Sequence, residues 1–160
     1  MTNRTRTALL FPLMLLLAAC GGSPGGNGTT SVPGRGAITV QVVPNPIRAT
    51  AVSGNTYDFP FEVIVRETGG RPVNVTRVSA TVRAPGGFTV ARESYDADRI
   101  RSLGFSTALP ANGELRYRFA PRKEVPDERL FGGVSAELLV EASDDGGTPT
   151  SASTVVTVTR

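Results

Sequence analysis

The chain has 160 residues, with 17 Lys and Arg against 14 Asp and Glu, one Cys, no Trp and no His. Without an imidazole, His-based general acid/base pairs, Ser-His-Asp and Cys-His nucleophile systems and imidazole metal ligands are excluded; a single thiol excludes an internal disulfide and cysteine-built metal sites. The formal charge of +3 drops to +1 (15 basic against 14 acidic side chains) if the first nineteen residues leave, because they hold Arg4 and Arg6 and no acid; this removes the main electrostatic argument for nucleic-acid binding.

Arg4 and Arg6 precede an apolar run from Ala8 to Leu17, followed by Ala18 and Ala19. A basic start, an apolar centre and small residues at the end are the layout of a secretory signal peptide. The run is about half the length that a permanent membrane-spanning helix needs, and Pro12 interrupts it. Leu17-Ala18-Ala19-Cys20 resembles the lipobox of bacterial lipoproteins. That resemblance implies cleavage before Cys20, a diacylglycerol on its thiol and an acylated amino group, hence a membrane partner reached through the N-terminal lipid. Acylation would also account for a lone thiol in an oxidising compartment. In that family an aspartate after the lipidated cysteine tends to retain proteins at the inner membrane; Gly21 stands here, so the expectation is a lipid-anchored protein of the outer membrane, facing either the periplasm or the outside.

Residues 20–36 are the lipidated Cys and a Gly, Ser, Thr, Pro and Asn tether with almost no apolar side chain, a composition that cannot repay its ordering entropy. Sixteen such residues span roughly 20 to 25 Å as a root-mean-square distance.

Residues 37–160 form one domain dominated by period-two patterning. Ile38, Val40 and Val42 alternate with polar residues until Pro44 and Pro46 stop the strand; Phe59, Phe61, Val63 and Val65 alternate until Gly69-Gly70. Val73 and Val75 differ in parity from Val78, Ala80 and Val82, which predicts a β-bulge between them. Asp96, Asp98, Ile100, Leu103 and Gly104 have the spacing of one helical turn. Further alternating runs are Phe88 to Val90, Leu115-Tyr117-Phe119, Val134 to Val140 and Val155 to Val158, separated by Gly-, Pro-, Asn- and Asp-rich turns.

About seven to eight short strands with one short helical turn predict an all-β, antiparallel two-sheet sandwich. The stretches 54–84 and 144–159 resemble bacterial immunoglobulin-like or fibronectin type III-like modules. The Cys pair and Trp of antibody domains are missing, and Tyr117 lies four residues after Gly113 rather than in the position of a tyrosine corner. The resemblance implies a non-catalytic module with a structural, adhesive or assembly role at the cell envelope, needing no cofactor and partnered by an envelope protein or polysaccharide.

Two groups of residues carry the alternative, a ligand-binding module. Asp144 and Asp145, in the turn Asp144-Asp145-Gly146-Gly147-Thr148, are oxygen donors of the kind Ca²⁺ takes, but two carboxylates fall short of the five or more oxygens of a calcium loop, and Asp-Gly is itself a turn signal. Arg116 and Arg118 share one strand face, and Arg122 and Lys123 follow. Such a basic stripe can meet an acidic polysaccharide, or can simply be a solvated face that discourages edge pairing. Phe59 and Phe61, in phase with Val63 and Val65, are assigned to the core.

Overall fold

The computed structural model describes residues 34–160. The signal segment 1–19, Cys20 and most of the tether, 20–33, lie outside the described residues. The alternation becomes strands β1 (Ile38–Val43), β2 (Ile47–Arg48), β3 (Thr50–Ser53), β4 (Thr56–Asp58), β5 (Phe61–Glu67), β6 (Val73–Arg83), β7 (Thr89–Asp96), β8 (Ala108–Leu109), β9 (Glu114–Phe119), β10 (Arg122–Glu124), β11 (Ser135–Asp144) and β12 (Pro149–Thr159). Helix α1 (Ala97–Ser102) follows β7, and a 3₁₀ turn (Glu128–Gly132), absent from the sequence expectation, follows β10.

One sheet has the order β1-β5-β9 and the facing sheet β2-β12-β11-β6-β7, with β8 also on β6. Every neighbouring pair is antiparallel except β2 with β12. That parallel pair forms after Pro44 and Pro46, which lack a ladder N–H, end β1. The described residues contain twelve strand segments rather than seven or eight, partly because two prolines cut long strands. Phe61 pairs with Phe119 and Asp58 with Arg122 in the same register, and Phe59 N donates to the Pro121 carbonyl at 3.0 Å. β4 and β10 thus continue β5 and β9 beyond a bend at Pro60 and Pro121, with β3 completing a small sheet.

The two sheets enclose one apolar core. Ile38, Val63, Val65 and Tyr117 face Val73, Val75, Val78, Leu138, Val140 and Val156, all at most 3% exposed. Fully burying a Val or Leu side chain stabilises by roughly 1.5–3 kcal/mol, so these rows are the main hold between the sheets. The predicted bulge is present: Val75 pairs with Ala142 and Arg77 with Glu141, which leaves Thr76 without an opposite residue. Thr76 and Arg77 are both exposed, and Val75 and Val78 both point inward. Helix α1 also forms where expected, with the Asp96 carboxylate accepting from Arg99 N at 2.8 Å and Ile100 buried beneath it. The chain is an all-β, two-sheet sandwich, antiparallel apart from the β2–β12 pair. Among the described residues, no helix is long and apolar enough to cross a membrane.

Candidate functional site

Arg116 and Arg118 lie on the outer face of β9, as their parity requires, but their charge is locally answered. Arg116 bonds Glu62 at 2.8 Å and Glu114 at 2.6 Å; Arg118 bonds Glu62 at 3.1 Å; Arg66 bonds Glu114 at 2.6 Å. The hydrogen bond from Arg118, with Arg116 beside it, outweighs desolvation and holds the Glu62 carboxyl below its usual range. Pro121 and the bend separate these two residues from the other half of the expected stripe. Arg122 forks onto Asp58 of β4 at 2.8 and 2.9 Å, and Lys123 reaches Glu93 of β7 at 2.7 Å. The four cations therefore occupy three separate settings, each with a carboxylate.

Asp144 and Asp145 also diverge. Asp144 is 4% exposed and accepts Thr148 N at 2.8 Å, Gly146 N at 3.0 Å and Gly36 N at 3.3 Å. The amide of Thr148 leads in holding this carboxyl below the usual range, against the opposing effect of desolvation. Asp145 pairs with Arg71 at 2.5 Å on the surface. A second buried carboxylate, Glu67, was not singled out from the sequence. It is 3% exposed and accepts Gly69 N at 2.7 Å, Asn112 N at 2.8 Å, Gly70 N at 3.0 Å and Ala37 N at 3.2 Å. Burial raises its pKa, but the four amides together outweigh burial and lower it. Its parity was the available signal, since Glu67 extends the inward row Val63, Val65 just as Asp144 extends Ala136, Leu138, Val140, Ala142. Both carboxylates close glycine turns; neither is free to act as a base or ligand.

At the end of the sandwich away from these turns, the sheets do not close. Beyond Val63 the inward positions of β5 and β9 are aromatic, Phe61 opposite Phe119, and Phe61, Phe119, Phe105 and Tyr95 form a connected ring cluster with centroids 5.5–6.1 Å apart. β7 and β9 are both edge strands. Between them opens a cleft of about 820 Å³, floored by Val78, Ala80 and Val82 of β6 and walled by Phe61, Phe119, Tyr95 and Leu130. Five of the six phenylalanines in residues 34–160 line it: Phe59, Phe61, Phe105, Phe119 and Phe131. Phe59 and Phe61 do pack against the core, but they are only half-buried and also face this space. The register shift in β7 sets Val82 opposite Ala91 and Arg83 opposite Thr89, so Val90 is the extra residue; it lines the cleft mouth at 57% exposure. Phe88 stands two residues away at 74% exposure.

The cleft walls are held by polar ties. Lys123 and Glu93 link β10 to β7 across the mouth. The 3₁₀ turn that supplies Leu130 and Phe131 is held by Glu128, which accepts from the Tyr57 hydroxyl at 2.6 Å and pairs with Arg160. The bond to Glu128, then burial, pushes the Tyr57 phenol above its usual range. Its ring meets Phe131 edge-on at 5.2 Å. An apolar cleft with a few polar groups at its rim, within the 300–1,000 Å³ of typical ligand sites, is the arrangement that takes a largely hydrophobic ligand. Among the described residues no cluster of three or more Cys, Asp or Glu could hold a metal ion.

No family model matches the chain, and no curated protein matches it. Solved structures resemble it in shape. A Bordetella pertussis protein assigned as ApaA superposes with a TM-score of 0.55 at 15% identity, over 81% of this chain and 99% of that one. The structural-genomics target SoR45 gives 0.51 at 10% identity, over 79% and 89%. A CARDB domain from Pyrococcus furiosus, solved with di-metal ions, gives 0.40 at 14% identity, over 85% and 99%. At 15% and 10% identity the first two likenesses are ones of fold alone.

Proposed function

We propose that this chain is a bacterial envelope lipoprotein, anchored through acylated Cys20 and carrying a non-catalytic immunoglobulin-like module that binds an apolar partner in the cleft between β7 and β9. The observation that carries the binding role is the cleft itself: the apolar rows fail to close at one end, and aromatic side chains line the gap. Its two acidic lining residues are already engaged, Glu93 with Lys123 and Glu124 with Asn55 at 2.8 Å, so the site offers surface rather than acid/base chemistry. The anchor rests on the Leu17-Ala18-Ala19-Cys20 lipobox. Two or more acyl chains give stable membrane attachment where one gives only marginal attachment, and the tether would keep the domain within reach of the bilayer.

Globomycin treatment and the Cys20→Ala substitution test the anchor: each is expected to block cleavage before Cys20, so that a larger precursor retaining its apolar leader accumulates, and Cys20→Ala is also expected to abolish incorporation of labelled palmitate; unchanged processing and labelling would reject it. Protease shaving of intact cells then separates a periplasmic from a surface-facing domain. The binding role is tested by photo-crosslinking in whole cells from a probe at Val90. Adducts that vanish when Ala80→Trp fills the cleft are expected; adducts that persist would place binding elsewhere.

A further inference from the structure

We infer that the occupant of the β7–β9 cleft is the acyl chain of an anionic single-chain amphiphile, such as a long-chain fatty acid, with the chain on the Phe61, Phe119 and Ala80 surface and the head group at Arg99 and Arg118. This deepens the binding role proposed above and does not depend on lipidation of Cys20.

Three features of the site point this way. First, the lining is mostly apolar, and among the described residues the charges on it are Glu93, Arg99, Arg118, Lys123 and Glu124. Lys123 and Glu93 neutralise one another at 2.7 Å, and Glu124 accepts from Asn55. Arg99, on α1, makes no ion pair among the described residues; Arg118 shares Glu62 with Arg116, so the three guanidiniums of Arg66, Arg116 and Arg118 meet only the two carboxylates of Glu62 and Glu114, and one positive charge is left over. The cations left at the rim face outward beside an apolar space, which complements an anionic head on a hydrocarbon tail.

Second, the edges flanking the cleft are poor templates for a peptide strand. β7 is bulged at Val90, and charged side chains, Arg92 on β7 and Arg116 and Arg118 on β9, stand along the outward rows. Bulges and edge charges are the devices by which sheets refuse added strands. A hydrocarbon chain needs no backbone partners, so these devices do not exclude it.

Third, the source is external. The described chain begins at Gly34, and Gly36 is held to Asp144 at the opposite end of the sandwich. Acyl chains on Cys20 already have an apolar phase in the bilayer that the anchor supplies, and would have to leave it and run back past the length of β5, about 20 Å at a strand's rise per residue, which takes up most of the tether's span.

The test uses the full-length chain with Cys20→Ala, which has no lipid of its own, titrated with dansyl-undecanoic acid. Saturable fluorescence enhancement that palmitate displaces is expected. Ala80→Trp should weaken binding at least 10-fold without lowering the melting temperature, and the paired reversal Arg99→Glu, Arg118→Glu should weaken the fatty acid at least 10-fold while leaving 1-hexadecanol displacement within 2-fold of the parent. No saturable enhancement, or enhancement indifferent to Ala80→Trp, overturns the acyl assignment; equal loss for acid and alcohol overturns the head-group assignment. A membrane-extracted wild-type chain that refuses the probe when Cys20→Ala accepts it would show that the protein's own lipid fills the cleft, overturning the external source. Failure of the anchor would appear instead in the processing and labelling experiment, with the Cys20→Ala titration unaffected.

Discussion

Glu67 and Asp144, on opposed sheets and 77 positions apart, accept adjacent backbone amides: Ala37 N at 3.2 Å and Gly36 N at 3.3 Å. The chain entering the domain is thus held by both halves of the sandwich at once. The fit is close, because a Cβ on Gly36 would come within 2.4 Å of Val73 Cγ1 and 2.8 Å of Asp144 Cβ.

Replacing Glu67 with Gln is expected to destabilise the domain by about 1–3 kcal/mol, since the single amide oxygen cannot accept from all four backbone N–H groups, one buried and three part-buried, that the carboxylate satisfies. Urea unfolding at pH 7 measures this, and a change under 1 kcal/mol would show that the amides find other partners.

Both carboxyls have depressed pKa values, so both bind protons less readily folded than unfolded. Their contribution is present above the ordinary carboxylate range and is lost as pH falls through their lower folded values. Melting temperature should hold from pH 7 to about 5 and fall below about pH 4, and Glu67→Gln should flatten that fall. An unaltered acid limb in the variant would contradict the assignment.

Asp144→Ala and Asp145→Ala should differ sharply. The first strips partners from three backbone amides, the second breaks one exposed ion pair with Arg71; surface pairs contribute little. The melting temperature should fall substantially for Asp144→Ala and by no more than about 2 °C for Asp145→Ala. Millimolar Ca²⁺ should leave the parent unchanged, because the Asp144 oxygens are already taken; a calcium-dependent rise lost in Asp145→Ala would restore a cation site at this turn.

Loosening the cleft wall should be visible without any ligand. Glu128→Ala removes the acceptor of Tyr57 and the partner of Arg160, so amide exchange across 127–133 should quicken while β11 stays protected. Uniform quickening would mean that the turn is not a separate element.

Deletion of Thr76 should leave the fold intact, because it removes the residue of β6 that has no opposite in β11 and puts Val73, Val75, Val78, Ala80 and Val82 in one inward alternation. Deletion of Ser79 should abolish cooperative folding, because it puts Val78 and Ala80 on opposite faces and a one-residue slip reverses every side chain beyond it. Thermal melts followed by β circular dichroism check both; a lost transition for the Thr76 deletion, or a parent-like one for the Ser79 deletion, would refute this.

The bulge at Thr76, helix α1 and the inward rows of β1, β5 and β11 were legible in the sequence, because side-chain parity and cap chemistry are local properties. Strand number was less so: where a ladder bends at Pro60 and Pro121 depends on the register of two strands, and register is a relation between distant segments.

Composition and local pattern by themselves determined that this domain is a largely antiparallel sandwich without imidazole or cysteine chemistry. Period-two burial needs only one strand's own residues to declare itself. Tertiary structure alone decided what the charged and aromatic residues do. Arg116, Arg118, Arg122 and Lys123 read as one basic stripe along the chain, yet a charge is defined by its neighbours in space, and the fold sets Glu62, Glu114, Asp58 and Glu93 against them. Phe59 and Phe61 read as core by parity, yet burial requires a facing surface, and at the β7–β9 opening the facing surface is a cleft.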